Sequence, residues 1–281
     1  MKSRMPSASY ALLTPGRDQQ GQSLIEQAFF RGLRLANGTY KTTYANRMSE
    51  LDDYCASLAT NLSDCRILDV GLSSGVTSAE LLDKVLSRTS SAQLTGVDIC
   101  LYGRVTRIGP CEVLLDSNGR TLQVAYRNVG RGRPHSPLGS PARFILEAFM
   151  ILAGRAVRLM RIPSREVTLV SRGLATRPDA ALRELSLFVR VPEWIQRFWL
   201  VRAANILNID YFSRDDLGAA IGILIEYVQP GGYLLLNRTT DVSGENHGSL
   251  FQLTRDRSIK VVRRFGKGSE IESMVPEASP R

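Results

Sequence analysis

Residues Ile67 to Leu82 read ILDVGLSSGVTSAELL, and QLTGVDIC follows at Gln93 to Cys100. The first stretch is an apolar run that ends in an aspartate. It breaks at glycines and small polar residues, then resumes with helical spacing. The second is another short apolar run, ending at Asp98. Two short buried strands separated by one helix can join the same sheet only in parallel, through a right-handed crossover. This unit commits the chain to an α/β sheet with helices packed over it.

The remainder of the chain is compatible with that sheet. At 281 residues, with 43% apolar and 22% charged residues, it can build a sizeable core. No apolar run reaches eighteen residues, so no spanning helix is expected. MKSRMPSASYALLTPG lacks an apolar segment of signal-peptide length, so export is not expected. Cys55, Cys65, Cys100 and Cys111 form no CxxC pair and there are two histidines. A metal centre therefore has little to be built from, and the thiols read as reduced in a cytoplasmic protein.

Residues 1–20 are short, polar and broken by proline, and are expected to be disordered. Ser23 with Glu26 has capping-box spacing ahead of an apolar stripe. A second helix is expected from about Ser49 to Asn61, so that 21–62 reads as an N-terminal helical cap. The sheet-forming domain is placed at 63–275, with 276–281 as a tail and an insertion at about 101–165. Within the insertion, Asn118-Gly119 between two apolar runs predicts a hairpin. RNVGRGRPHSPLGSPA is a linker carrying His135. ARFILEAFMILAGRAVRLMRI predicts a helix, read as packing on a sheet, with a membrane-surface position as the alternative. The sheet is expected to resume around Val167–Val170 and ALRELSLF. FWLVRAANILN, a helix capped by Ser213, YLLLN and a terminal hairpin follow.

In an open parallel sheet, ligands sit beyond the carboxyl ends of the strands, where Asp69, Gly71, Ser73 and Gly75 stand. A dinucleotide turn needs G-x-G-x-x-G, and here Ser73 takes the middle position. Asp69 would also repel a pyrophosphate. A unit charge pair at 4 Å is worth about 4 kcal/mol at an effective dielectric of 20, which favours a ligand carrying a cation. Asp98, at the end of the second strand, can accept hydrogen bonds from a ribose diol. One acid for an amino group and one for a ribose describes S-adenosylmethionine.

At these residues the chain resembles the class I S-adenosylmethionine-dependent methyltransferases, through ILDVGLSSG, TGVDI and YVQPGGYLLLNR. The segment from Phe198 to Asp241 resembles the chemotaxis-receptor glutamate methyltransferases and their relatives. The resemblance implies a doubly wound Rossmann-like methyltransferase sheet with an antiparallel last strand. Here it would carry the N-terminal helical cap and an inserted hairpin-plus-helix segment. It implies methyl transfer from S-adenosyl-L-methionine to an acceptor such as a carboxylate, hydroxyl or amine.

On this reading the cofactor contacts are Asp69, Gly71, Ser73, Gly75, Asp98, Ser186 and Asn205. Ser186 stands after the third strand, where the family often has an acid. Asn208 and Tyr211 would border the substrate. His247 and Tyr211 are the candidates for a general base. Between Leu101 and Arg202 there are seventeen arginines, no lysines and seven acids. This surplus could meet an anionic partner, nucleic acid or membrane. The contrasting reading is a non-catalytic protein that binds such a partner through the insertion.

Overall fold

The computed structural model describes residues 5–14, 18–35, 38–41, 44–60, 62–133, 141–240 and 244–278. His135 and residues 134–140 of its linker lie outside the described residues, and the start of that linker is a strand, Val129–Gly132. The elements begin with α1 (Gln19–Gly32), α2 (Ser49–Leu58), β1 (Cys65–Val70), α3 (Val76–Leu86) and β2 (Ala92–Asp98). The inserted segment holds β3 (Tyr102–Ile108), β4 (Cys111–Asp116), β5 (Thr121–Tyr126), β6 (Val129–Gly132), α4 (Pro141–Leu159), β7 (Ser164–Thr168) and α5 (Arg172–Ala175). The chain closes with β8 (Ala180–Glu184), β9 (Phe198–Ala204), α6 (Arg214–Tyr227), β10 (Val228–Thr239), β11 (Asn246–Leu253), β12 (Ile259–Phe265) and α7 (Met274–Ala278). Two compact units result. One comprises Met1–Tyr44, Ser73–Val76 and Cys100–Thr176; the other comprises Ala45–Leu72, Thr77–Ile99 and Arg177–Arg281.

The second unit is built on a seven-stranded sheet of order β12-β11-β10-β9-β1-β2-β8. The five strands from β8 to β10 are mutually parallel. β11 runs against β10, and β12 runs against β11. The predicted α/β sheet with a terminal antiparallel hairpin is therefore present, with β11 as the reversed strand. Leu68, Val70, Val201, Ala203, Leu234 and Leu236 pack against Leu217, Ala220, Ile221 and Leu224 of α6. Ser213 caps α6, its hydroxyl accepting from Asp216 N–H at 3.1 Å.

The third parallel strand differs from expectation. β8 stops at Glu184, and Ser186 opens a turn in which its carbonyl accepts from Val189 N–H at 3.0 Å. The stretch around Val167 does not rejoin this sheet. It forms β7, which pairs antiparallel with β3.

The first unit carries a five-stranded antiparallel sheet of order β6-β5-β4-β3-β7, more than the single hairpin read from Asn118-Gly119. Its ends meet: Tyr102 pairs with Thr168, and Leu169 N–H donates to Leu101 O at 2.7 Å. Residues 5–14 are ordered, against the expectation for 1–20. Ala8 and Ala11 are fully buried beside Phe29, Phe30, Leu33, Leu114 and Leu122. Ala8 N–H donates to Gln123 Oε1 at 2.9 Å and Ser9 N–H to Glu112 Oε1 at 3.0 Å, so distant strands satisfy this backbone.

α1 begins at Gln19 rather than at Ser23, because the Asp18 carboxylate accepts from Gly21 N–H and caps it. Glu26 turns inward and accepts from Gln22 Nε2 and from Arg172 N–H, at 2.9 and 3.2 Å. α4 packs on its sheet through Met150, Gly154 and Val157, the last against Val113 and Leu115. Its other face is exposed, so the packed reading of this helix holds for one side only.

Candidate functional site

The second unit brings three parallel strand ends side by side. β1 ends in the turn at Gly71, β2 in Asp98 and β8 in Glu184. The turn is tied to β2 through one carbonyl: Val97 O accepts from Gly71 N–H at 2.8 Å and from Leu72 N–H at 3.1 Å. Gly71 has φ +77°, and a Cβ there would come within 2.8 Å of the Ile206 side chain. Glycine is needed on both counts. Farther along the turn, Ser73 holds φ +58° and Gly75 φ +77°. Ser73 thus adopts the left-handed conformation that a middle glycine would supply, at a cost of about 1–2 kcal/mol. Its carbonyl accepts from Lys41 Nζ at 2.9 Å.

Asp98 is buried and stands in register with Glu184 across β2 and β8. Leu185 N–H donates to Asp98 O at 2.9 Å, which locks the two strand ends together. The acid at the third strand end is therefore Glu184. Sequence reasoning missed it because it ran the strand on through Leu185. Ser186 lies beyond, its hydroxyl accepting from Phe188 N–H at 3.4 Å.

Asp69 has partners that the sequence reading did not foresee. Arg202, opposite it in register on β9, donates from Nε to Oδ1 at 2.9 Å and from Nη2 to Oδ2 at 2.6 Å. Ser78 Oγ donates to the same Oδ2 at 2.5 Å. Arg202 Nη1 donates to Asp52 Oδ1 of α2 at 2.8 Å. Arg202 is wholly buried, and both aspartates nearly so. Burial pushes the Asp52 carboxyl up to about 7, against the opposing pull of Arg202. Burial opposes the charge on Arg202, but Asp69 and Asp52 outweigh it and raise its affinity for its proton. The cation that the Asp69 carboxylate holds is this guanidinium. Both oxygens of the carboxylate that was expected to meet a ligand's amino group are thus engaged within the protein.

The remaining candidates are placed as follows. Asn205, with φ +58°, ties β9 to β10: its N–H donates to Asn237 O at 2.8 Å and its Oδ1 accepts from Thr239 N–H at 2.7 Å. Asn208 Oδ1 accepts from Asp210 N–H at 2.7 Å and from Arg238 Nη1 at 3.3 Å. Tyr211 is exposed. His247 lies within β11 rather than in a loop, and its Nδ1 accepts from Lys267 N–H at 3.0 Å. That places its ring proton on Nε2, 3.9 Å from Glu245. Asn205, Asn208 and His247 are thus all engaged with neighbouring backbone. Among the described residues no His, Cys, Asp and Glu group is arranged to hold a metal ion.

No family model matches the chain, and no curated protein matches it. Solved structures similar to it include the N-methyltransferase NodS from Bradyrhizobium japonicum in complex with S-adenosyl-L-homocysteine. The identity is 11% and the TM-score 0.33, over 71% of this chain and 66% of that one. The [4+2]-cyclase SpnF is similar at 13% identity and a TM-score of 0.33, over 76% of this chain and 53% of that one. The methyltransferase domain of the citrinin polyketide synthase is similar at 12% identity and a TM-score of 0.37, over 80% and 40%. The chain spans less than two thirds of the length of each of these proteins.

Proposed function

We propose that this protein is an S-adenosylmethionine-dependent methyltransferase whose cofactor lies across the ends of β1, β2 and β8. The observation that carries this reading is the row formed by the left-handed Gly71 turn, Asp98 and Glu184 on three adjacent parallel strands. Two strand-end acids side by side suit a ligand that presents several hydrogen-bond donors, as a nucleoside does. Asp98 would accept from the ribose hydroxyls, each such bond being worth about 1.5–3 kcal/mol. Gly71, Ser73 and Gly75 would let backbone approach the amino-acid end, and Asp69 would hold the turn in shape through Ser78 and Arg202. When bound, the cofactor supplies an activated methyl group, and the protein's part is alignment.

The methyl acceptor in this proposal is a carboxylate. His247 has Nδ1 engaged and Tyr211 stands in solvent, so no general base is evident among the described residues, and an ionised acceptor needs none. The resemblance of Phe198 to Asp241 to the chemotaxis-receptor enzymes supports the same choice. A cytoplasmic setting belongs to this reading, supported by four free cysteines, three of them buried.

Calorimetric titration with S-adenosylhomocysteine, on the wild type and on Asp98→Ala, tests the proposal. Binding that the variant loses is the expected result. A folded wild type that does not bind would favour the non-catalytic reading, which the engagement of Asp69 by Arg202 supports.

A further inference from the structure

α4 has a packed face and a bare one. Ile145, Phe149, Leu152 and Leu159 recur at helical spacing on the side opposite Met150 and Val157, with Phe144 and Ile151 flanking them. All six are exposed, Leu159 at 83% and Leu152 at 62%. The apolar arc covers roughly half of the helix circumference at 3.6 residues per turn. That is wider than the two-position seam a partner helix requires.

At 3.6 residues per turn Arg155 falls within this arc, between Phe144 and Leu159; Arg158 stands at its edge beside Glu147, which Arg133 neutralises; and Arg143 and Arg161 lie at the two ends of the helix. Arg158 donates to Gly119 O at the β4–β5 turn. Among the described residues, Arg143, Arg155 and Arg161 have no ion-pair partner. The inserted segment from Leu101 to Thr176 holds twelve arginines, no lysine and four acids. Three of those acids are engaged: Glu147 pairs with Arg133, Glu112 with Arg107, and Asp116 accepts from Arg120 N–H. A second copy of this face would bring arginines against arginines.

We infer that α4 docks on the surface of an anionic lipid membrane. The apolar arc sits at the acyl boundary and the arginines reach the headgroup phosphates. The helix has 19 residues, yet no helix among the described residues is long and apolar enough to cross a membrane, so it lies along the surface. The inference stands apart from the cofactor reading and uses none of its residues.

Co-sedimentation with phosphatidylcholine vesicles, with and without phosphatidylserine, tests it on the full chain. The wild type is expected to partition onto the phosphatidylserine vesicles, and less so as salt is raised. Arg143→Gln with Arg155→Gln and Arg161→Gln should weaken partitioning about a hundredfold, at about 1 kcal/mol per basic residue. Phe149→Ser with Leu152→Ser should weaken it more than tenfold. All five positions are exposed, and unchanged melting curves would show that both variants fold. Absence of wild-type binding, equal binding to both vesicle types, or full binding by both variants would overturn the inference. So would a wild-type dimer that the Phe149/Leu152 variant converts to monomer.

Discussion

Arg202 on β9 lies opposite Asp69 on β1 and takes both oxygens of its carboxylate while its third nitrogen holds Asp52. One buried guanidinium therefore pins two strands and a helix under the turn that the proposed cofactor would occupy. Removing the cation would leave Asp69 as an uncompensated buried charge. Arg202→Ala is expected to cost about 3–5 kcal/mol of stability, read from urea midpoints at constant slope.

Asp52 gives stability a pH dependence of its own. Its carboxyl titrates near 7 in the folded chain and near 4 in an unfolded one. The folded state thus holds an extra proton between those values. The contribution of the neutral form is whole at the acid end and is lost as pH rises through 7. Stability should fall by up to about 1.4 kcal/mol per pH unit as pH rises from about 4 to about 7, and level off above that. Asp52→Asn should flatten that slope, as seen in melting temperatures taken between about pH 4 and pH 8.

The β1–α3 turn offers a paired test. Gly71→Ala meets both the positive φ and the Ile206 side chain, and is expected to destabilise by about 1–3 kcal/mol. Ser73→Gly relieves a left-handed serine and should stabilise by up to about 1 kcal/mol, after the greater freedom of glycine in the unfolded chain is set against it. Thermal denaturation of the two variants side by side reads both signs.

The proposed cofactor site predicts a difference between two residues only two positions apart. Glu184→Gln should weaken S-adenosylhomocysteine binding about 10–100-fold, whereas Ser186→Ala should leave it unchanged. The same titration that tests Asp98 measures both.

What the sequence showed and hid can be followed residue by residue. The β1–α3–β2 unit, the Asn118-Gly119 hairpin and the Ser213 cap were legible because period, turn chemistry and capping are local. Arg202 was not read, although a lone charge inside the apolar run FWLVRAA is itself a sign of a buried pair. Its partners lie 133 and 150 residues away in the chain, which no local pattern reveals. Glu184 was missed because an apolar residue follows it, and strand ends are decided by pairing rather than by composition. Residues 5–14 looked disordered because their anchors, Glu112 and Gln123, belong to strands more than a hundred residues on. α4 read as packed because an apolar surface most often is; only its exposed residues show that one side stays bare.

The pairing of Tyr102 with Thr168 bears on how the chain folds. A strand sequence interrupted by some eighty residues would ordinarily carry a large closure penalty and a slow step. Here the interruption zips its own mouth, so β2 and β8 are separated entropically by a short connection and not by the full excursion. The antiparallel sheet, local in sequence, can form as synthesis proceeds and deliver β8 to its neighbour at Leu94. The paired ends of the insertion act as a bracket that leaves β2 and β8 a short span of chain apart.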